Sequence, residues 1–421
     1  MLASDRSARR APPLVATGLH ARGGVAMWLR ICGVALLGSV TMALCSASAA
    51  AARASAWSIQ RTPNPAGARY SILSGLSCTS RTACTAVGYF TNSAGTGVTL
   101  AERWDGTGWS IQRTPNPAGA TSSLLFGVSC VSTTECTAVG STTNRAGTTM
   151  PLAERWNGSR WSIQRTPNPS GTNPTGLSYL GGVSCASATA CFAVGYSGNS
   201  FGTAGAPVTA RWDGTRWAIQ RTPRPAGASA GFLSGVSCGS PTSCTAVGFF
   251  INRAGAGVTL AERWDGTSWS IERTPNPEGA TATQLVSVSC TSPSLCTAVG
   301  FFTDVTGIEV MVAERRNGVG WVIQRTRYPA GALSVELVFV SCASARSCTA
   351  VGYYSNASGY DVRLTERWDG TAWSIQRIPN PAGATSTQLL AVSCESSARC
   401  VAVGGFTNGA GTGVTLAERS S

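Results

Sequence analysis

Short apolar runs alternate along the chain with polar turns, and the same arrangement returns many times. In one representative stretch the apolar runs are Ile72–Cys78, Cys84–Phe90, Val98–Trp104 and Trp109–Pro115. They are rich in β-branched and aromatic residues and are bounded by Gly, Pro, Asn and Asp, a pattern typical of short β-strands. We label these predicted strands A, B, C and D in chain order. Between C and D stands Asp105-Gly106, a dipeptide that favours a tight hairpin turn.

The pattern has a period of 52 to 55 residues, marked by a cysteine at the end of each A strand. Seven such repeats are present, and a period of this length with strand-like content is typical of a propeller blade. The seventh repeat ends after its C strand at Arg419, whereas a lone D strand begins at Trp57. Pairing these two parts would close a ring and leave no open sheet edge. We therefore predict an all-β fold, a seven-bladed β-propeller of four antiparallel strands per blade, as a single domain over residues 57–421.

The repeat resembles the propeller repeats of the BNR or Asp-box type in the order of its segments, which are LxGVSC, CxAVGxF and VTLAERWDGTxWSIQ. Similar repeats occur in sialidases and in photosystem-assembly-factor-like proteins, and the chain also resembles secreted bacterial propellers with a paired-cysteine repeat. The resemblance extends from Trp57 to Arg419. It implies the propeller architecture and no particular activity. The turn reads Asp-Gly-Thr-x-Trp, and Asn157 and Asn317 replace its aspartate in two repeats.

The first 56 residues have the features of a leader with a secretory signal peptide. Basic residues from Arg22 to Arg30 precede the uncharged apolar run Ile31–Cys45, and small residues follow with cleavage sites near Ala49 or Ala56. The apolar run is shorter than the roughly 20 residues that a membrane span needs. We therefore expect a secreted protein without a membrane span once the signal is removed; the start codon is either Met1 or Met27.

Fourteen of the 16 cysteines form pairs six residues apart, and the other two lie in the leader. In an exported protein, pairs at one fixed spacing favour disulfides over metal ligands. The predicted bridges are Cys78–Cys84, Cys130–Cys136, Cys185–Cys191, Cys238–Cys244, Cys290–Cys296, Cys342–Cys348 and Cys394–Cys400.

Charge is sparse and strongly biased toward arginine. Only 12% of residues are charged, lysine is absent, and the net charge is +13. Residues 1–56 hold six arginines and one acid, which leaves 26 arginines against 18 acids and a net charge of +8 for the rest. A basic surface favours anionic partners, but the arginines are dispersed through the repeats. We therefore predict arginines paired inside the fold and no specific binding of nucleic acid.

The sequence offers little catalytic chemistry. Its only histidine, His20, lies in the leader, so residues 57–421 have no histidine base or metal ligand. We expect no cofactor and no metal. Carboxylates alone suffice for glycoside hydrolysis, and a sialidase-type site would add an arginine cluster and a tyrosine nucleophile with an acid partner. The recurring Glu-Arg pairs and tryptophan pairs are better explained by packing between and within blades.

A candidate ligand site lies where the repeats differ most. The D–A and B–C connections share one end of the strands, called here the DA/BC face, and loops on rigid scaffolds commonly bind ligands. The third repeat has a longer entry at 170–179 and a longer B–C loop near Phe201. The fifth and sixth repeats replace neutral residues with charged and aromatic ones. The predicted ligand-binding residues are Asp304, Glu309, Tyr328, Glu336, Tyr360, Asp361 and Arg363.

Three function classes remain open at this stage. The sequence favours an exported, monomeric, non-catalytic binding module whose DA/BC face takes a glycan, a cell-envelope polymer or a protein. The first alternative is a carboxylate-dependent glycosidase of sialidase type. The second is an assembly or stability factor that binds another protein.

Overall fold

A computed structural model describes residues 57–169, 176–198 and 205–421. The described part of the chain is all β, with no helix. The predicted leader, the loop at 170–175 and the B–C loop near Phe201 lie outside the described residues. Its 28 strands, in chain order, are β1 (Trp57–Gln60), β2 (Tyr70–Ser80), β3 (Ala83–Thr91), β4 (Gly97–Trp104), β5 (Trp109–Gln112), β6 (Ala120–Ser132), β7 (Glu135–Asn144), β8 (Thr149–Trp156), β9 (Trp161–Gln164), β10 (Leu177–Ser187), β11 (Ala190–Gly198), β12 (Gly205–Trp212), β13 (Trp217–Gln220), β14 (Ala230–Ser240), β15 (Ser243–Ile251), β16 (Gly257–Trp264), β17 (Trp269–Glu272), β18 (Ala282–Ser292), β19 (Leu295–Thr303), β20 (Glu309–Asn317), β21 (Trp321–Gln324), β22 (Ser334–Ser344), β23 (Ser347–Ser355), β24 (Asp361–Trp368), β25 (Trp373–Ile375), β26 (Ser386–Cys394), β27 (Cys400–Thr407) and β28 (Gly413–Ser420).

The strands form repeated antiparallel sets of four, as the apolar pattern predicts. Repeat 1 comprises β2 to β5, and repeats 2 to 6 follow in the same way through β25. In repeat 1, Cys78 pairs with Cys84, Cys84 with Trp104, and Trp104 with Trp109. The left-handed backbone that the C–D turn requires is provided by Gly106, whose φ is 100°.

Strands β26 to β28 form the seventh repeat together with β1. Strand β1 pairs antiparallel with β28, with Trp57 opposite Ser420. Asn64 Oδ1, just beyond β1, accepts a hydrogen bond from the Thr415 amide over 3.1 Å. Asn116 accepts from the Thr99 amide in the same way over 3.3 Å within repeat 1. The lone N-terminal D strand thus makes the contacts of an internal D strand.

All seven predicted disulfides are present in the described residues. Each joins directly opposed cysteines of an A strand and a B strand, so each closes the A–B hairpin. The loop enclosed is short, and the chain-entropy contribution of one bridge is about 2.4 kcal/mol.

Tryptophan and arginine pack at the ends of the C strands. Trp104 and Trp109 lie side by side with ring centroids 5.9 Å apart. Arg103 lies 4.8 Å from the centre of the Trp156 ring of repeat 2 and donates to the Thr133 carbonyl over 2.7 Å. The predicted structural role of the tryptophan pairs is therefore confirmed, and these arginines face tryptophan across the repeat boundary rather than glutamate.

Six glutamates of the Glu-Arg motif lie inside the fold with no exposed surface: Glu102, Glu154, Glu262, Glu314, Glu366 and Glu418. Burial raises the pKa of Glu154 to about 8, because removal from water disfavours its charged form. Neither oxygen of Glu154 has a hydrogen-bond partner within the described residues. At neutral pH this carboxyl is therefore mostly protonated and behaves as a neutral group packed between repeats.

No helix within the described residues is long and apolar enough to cross a membrane.

Candidate functional site

Three of the predicted ligand-binding residues come together on the DA/BC face. Glu309 is the first residue of β20, Asp361 is the first residue of β24, and Glu336 lies on β22. Glu309 and Asp361 occupy the position of Gly97 in repeat 1, where strand C begins beside the A strand of the next repeat. Acidic side chains at this position therefore reach toward the following repeat. We call Glu309, Glu336 and Asp361 the acidic cluster.

Contacts across two repeat boundaries hold this cluster together. Glu309 of repeat 5 lies close enough to Glu336 of repeat 6 for its negative charge to raise the pKa of Glu336. Tyr353, paired with Glu336 in the sheet, donates its hydroxyl hydrogen to Glu336 Oε2 over 3.0 Å. Gln388 of repeat 7 donates to Asp361 Oδ2 over 2.7 Å, and Ser355 donates to Asp361 Oδ1 over 3.2 Å. The acidic cluster thus lies on repeats 5 and 6 and contacts repeat 7 through Gln388.

Electrostatics in the cluster favour the uncharged form of Glu336. Burial, and then the negative charge of Glu309, raise the pKa of Glu336 to about 7. Burial and the charge of Glu336 also raise the pKa of Tyr353, which keeps the phenol protonated. None of the ion pairs formed by the described residues includes a member of the acidic cluster. The cluster therefore carries negative charge that no arginine neutralises.

Tyr328 and Tyr360 lie at the surface, with 44% and 52% of their area exposed. Burial and the nearby charge of Asp304 raise the pKa of Tyr328. Tyr360 immediately precedes Asp361 in the chain. Both rings are thus exposed enough to contact a ligand on this face.

Asp304 has a structural task in its own turn. Its Oδ1 accepts hydrogen bonds from the Thr306 hydroxyl over 2.6 Å, the Thr306 amide over 2.8 Å and the Ile308 amide over 3.0 Å. These bonds, the hydroxyl first, lower the pKa of Asp304. Asn92 makes the same turn in repeat 1 with the amides of Ala94 and Thr96. Asp304 therefore replaces the usual turn asparagine and keeps its role.

Arg363 lies inside the fold and not on the DA/BC surface where we expected it. It is 3% exposed, and its Nε lies 2.8 Å from Glu418 Oε1 of repeat 7. Its Nη1 donates to Asn380 over 2.8 Å. The physical reason is the alternation of side chains along β24, which directs Arg363 into the contact with the next repeat.

One row on the A and B strands contains the predicted residue Glu336 together with residues that the sequence reasoning missed. The A-strand members are Ile72, Leu124, Tyr179, Phe232, Gln284, Glu336 and Gln388, and their paired B-strand members are Tyr89, Ser141, Tyr196, Phe249, Phe301, Tyr353 and Gly405. In repeats 3 and 4 this row is aromatic: Tyr196 stacks on Phe232 at 4.2 Å, and Phe232 on Phe249 at 4.5 Å. In repeats 5 to 7 the A-strand members are amides and an acid. The row is therefore aromatic on one side and polar on the other.

Among the described residues, no group of three or more His, Cys, Asp or Glu side chains is arranged to hold a metal ion.

No protein-family model and no curated protein matches this chain in sequence. Solved structures do match in fold. A polysaccharide lyase of family PL25, an ulvan lyase, aligns with a TM-score of 0.53 at 9% identity, over 83% of this chain and 94% of its own. The GH74 xyloglucanase from Xanthomonas campestris gives 0.49 at 13% identity over 86% of this chain, and the Trypanosoma rangeli sialidase gives 0.44 at 10% over 74%. The chain spans 55% of the length of each of the latter two.

At identities this low the likeness concerns the fold alone: a propeller-type arrangement of repeated β-sheets. The resemblance to BNR or Asp-box repeats has no support from a family model and stays a prediction.

Proposed function

We propose that this protein is an exported, non-catalytic module that binds glycans on its DA/BC face. The observation that carries the proposal is the acidic cluster, in which carboxyls from repeats 5 and 6 meet without a cationic partner. Carboxylates accept hydrogen bonds readily, and sugar hydroxyls are abundant donors. Tyr328 and Tyr360 provide exposed rings on which the apolar face of a sugar can rest. Tyr328 lies near Asp304, and Tyr360 adjoins Asp361 in the chain.

The same proposal includes a closed ring of seven blades. It is supported by the pairing of β1 with β28, and by the parallel contact of Tyr70 with Gly413, which repeats the contact of Ser122 with Gly97. An axial cavity of about 260 Å³ is lined by A-strand residues from all seven repeats, including Gly75, Gly127, Gly235 and Leu390. Export is supported by the seven disulfides, because such bonds persist in oxidising compartments.

A second candidate function is a glycosidase of sialidase type. The observation in its favour is the 3.0 Å hydrogen bond from Tyr353 to Glu336, since a tyrosine nucleophile with an acid partner is the hallmark of that chemistry. Against it stands Arg363, the arginine nearest in the sheet, because its guanidinium is engaged by Glu418 inside the fold.

The test is binding of the purified protein to an array of glycans and cell-envelope polymers at low and high salt. We expect salt-resistant binding to a narrow set of sugars, because the contacts are hydrogen bonds and ring stacking rather than net charge. Replacing Tyr328, Tyr360 and Asp361 together with alanine should abolish it. Glu278→Gln, which changes an exposed acid on the same face outside the cluster, is the matched control.

Four results would count against the proposal. Binding that disappears at high salt would show that the protein attracts glycans only nonspecifically, through its net charge. Intact binding by the triple variant would place the site elsewhere. Hydrolysis of a bound glycan that Tyr353→Phe or Glu336→Gln eliminates would favour the sialidase-type enzyme, and binding to proteins alone would favour an assembly factor.

A further inference from the structure

Repeat 7 has no side chain at one position of the row of paired A-strand and B-strand residues described above. Its B-strand position in that row is Gly405, where repeats 3 to 6 carry tyrosine or phenylalanine and repeat 2 carries Ser141. A cavity of about 190 Å³ lies beside Gly405 at the boundary of repeats 7 and 1. It is lined by residues that include Tyr70, Ile72 and Gln388. Ile72 of repeat 1 lies against Gly405, where a Cβ would stand 3.2 Å from Ile72 Cγ1, and the cavity opens beside this contact.

Two polar groups at this cavity have unused hydrogen-bonding capacity. Ser71 lines the cavity with 1% of its surface exposed, and its hydroxyl has no partner within the described residues. An unsatisfied buried hydroxyl costs about 1–3 kcal/mol, which a bound ligand would relieve. Gln388 donates its amide hydrogen to Asp361, so its carbonyl oxygen remains to accept from a ligand.

Part of the remaining wall is apolar, next to the polar residues Ser386 and Thr407. Ile72 contributes an aliphatic surface, and Tyr70 lies 6.0 Å from the Tyr89 ring. Gly413 makes room for the Tyr70 ring, since a Cβ at Gly413 would clash with Tyr70 Cδ2. One apolar wall with a few fixed polar groups is the usual composition of a small-molecule site.

Gln388 joins this cavity to the acidic cluster, because it touches both the cavity and Asp361. A ligand that enters the cavity and continues along the surface therefore meets Asp361 first, and then Glu336 and Glu309. An anionic ligand would be repelled by the carboxylates of Asp361 and Glu309, which form no ion pair among the described residues. A neutral one would find hydrogen-bond acceptors.

We propose that the cavity beside Gly405 takes one uncharged sugar ring at the end of a glycan, with the following sugars lying along the acidic cluster. This inference rests on the proposed glycan-binding function and narrows it: the terminal unit is neutral, and uronic or sialic acids are excluded. The apolar face of the sugar packs on Tyr70 and Ile72. Its hydroxyls bond to Ser71 and Gln388.

The experiment fills the cavity in the way that other repeats fill theirs. Gly405→Tyr introduces the residue that repeat 6 carries at this position as Tyr353. A double variant, Gln388→Leu with Gly405→Ser, reproduces the Leu124–Ser141 pair of repeat 2 and adds less volume. The backbone of Gly405 is not left-handed, so other residues can adopt its conformation. A Cβ there would stand 3.2 Å from Ile72 Cγ1, so a larger side chain at this position has to displace the Ile72 side chain. Thermal unfolding of each variant establishes whether it is folded. If Gly405→Tyr does not fold, the binding affinity of the double variant tests the proposal.

The probes are fluorescent oligosaccharides that differ only in a terminal glucose, galactose or glucuronate. We expect the full chain to bind a neutral-ended probe at least tenfold more tightly than the glucuronate-ended one, and both variants to lose at least tenfold in affinity. Equal binding of the glucuronate-ended probe would overturn the neutral-sugar specificity. Wild-type affinity in the folded variants, with loss only on changing Tyr328, Tyr360 and Asp361, would overturn the cavity and keep the proposed function. No binding to any oligosaccharide would overturn both.

Discussion

Arg363 and Glu418 form an ion pair between repeats 6 and 7, with 2.8 Å between Nε and Oε1 and less than 2% of either side chain exposed. In repeats 1 and 4 the arginine position is a threonine. There, Thr99 and Thr259 hydrogen-bond to Thr114 and Thr274 over 2.9 and 2.8 Å. Repeat 6 has Ile378 where those repeats have the second threonine. The arginine and the isoleucine therefore replace a hydroxyl pair as a set.

Removing Arg363 alone should destabilise the protein strongly. We expect Arg363→Ala to lower the free energy of unfolding by about 2–5 kcal/mol, because it empties the space of a buried side chain and removes the hydrogen bond to Asn380, while Glu418 can stay protonated as Glu154 does. Arg363→Thr combined with Ile378→Thr restores the hydroxyl pair and should cost less. Urea denaturation of the three proteins measures the difference. Equal losses in the two variants would show that the threonine pair is not an equivalent solution.

The buried glutamates should make stability fall as pH rises. The pKa of Glu154 is raised from 4.5 to about 8 in the folded protein. Between these values the unfolded chain has released the proton that the folded chain still binds, so stability falls by about 1.4 kcal/mol per pH unit for each such group. Below pH 4.5 and above about pH 8 this contribution is constant.

Glu154→Gln keeps the shape of the neutral carboxyl and removes its proton, so it should reduce that slope between pH 5 and 8. The midpoint of thermal unfolding, followed by circular dichroism at several pH values, checks the expectation. Glu278→Gln, which removes an exposed acid, is the control and should leave the slope of stability against pH unchanged. Identical slopes in Glu154→Gln and wild type would mean that Glu154 is ionised inside the fold.

Within the acidic cluster, Glu309→Gln should lower the pKa of Glu336. Burial is the first cause of its elevation to about 7, and the negative charge of Glu309 is the second. Carbon-13 NMR of labelled glutamate side chains follows the Glu336 carboxyl directly as pH is varied. The shift should be partial, since burial remains. An unchanged titration would show that the two carboxyls do not interact in solution.

A single disulfide should contribute measurably to the free energy of unfolding, independently of the other disulfides. Replacing Cys130 and Cys136 together with serine is expected to lower the free energy of unfolding by about 2 kcal/mol, the entropy of closing a short loop in the unfolded chain. Denaturation under non-reducing conditions measures it. A loss several times larger would indicate that the serines also disturb the packing around Cys136, which is 2% exposed.

Much of the architecture was readable from the sequence because each local signal recurs. Asp105-Gly106 fixes one turn, the Cys78–Cys84 spacing fixes one hairpin, and the repetition confirms both. The acidic cluster was also within reach, since Glu309 and Asp361 replace a residue that is glycine in most repeats. Their contact through Glu336 required the stagger between neighbouring repeats, which no single repeat contains.

Two residues show where sequence reasoning failed. Arg363 was assigned to the surface because it is charged and lies near a loop. Its alignment with Thr99, a buried residue, would have placed it inside. Gly405 gives no signal in the sequence, because glycine has no side chain that could bind or react. Its importance follows only from comparison with the residues at the same position in the other six repeats and from the cavity beside it.

The pairing of β1 with β28 also bears on how the protein can be re-engineered. The D strand beside β28 is supplied by a distant part of the sequence, and Trp57 lies opposite Ser420 just as Trp109 lies opposite Trp104. A short Asp-Gly-Thr-Gly linker from Ser420 to Trp57, replacing Ser421, would therefore recreate the hairpin of repeat 1, and the chain could be opened at Gly106 instead. Such a circular permutant would keep every strand pair while moving the covalent break to another sheet, so mechanical unfolding would begin at a repeat of the experimenter's choice.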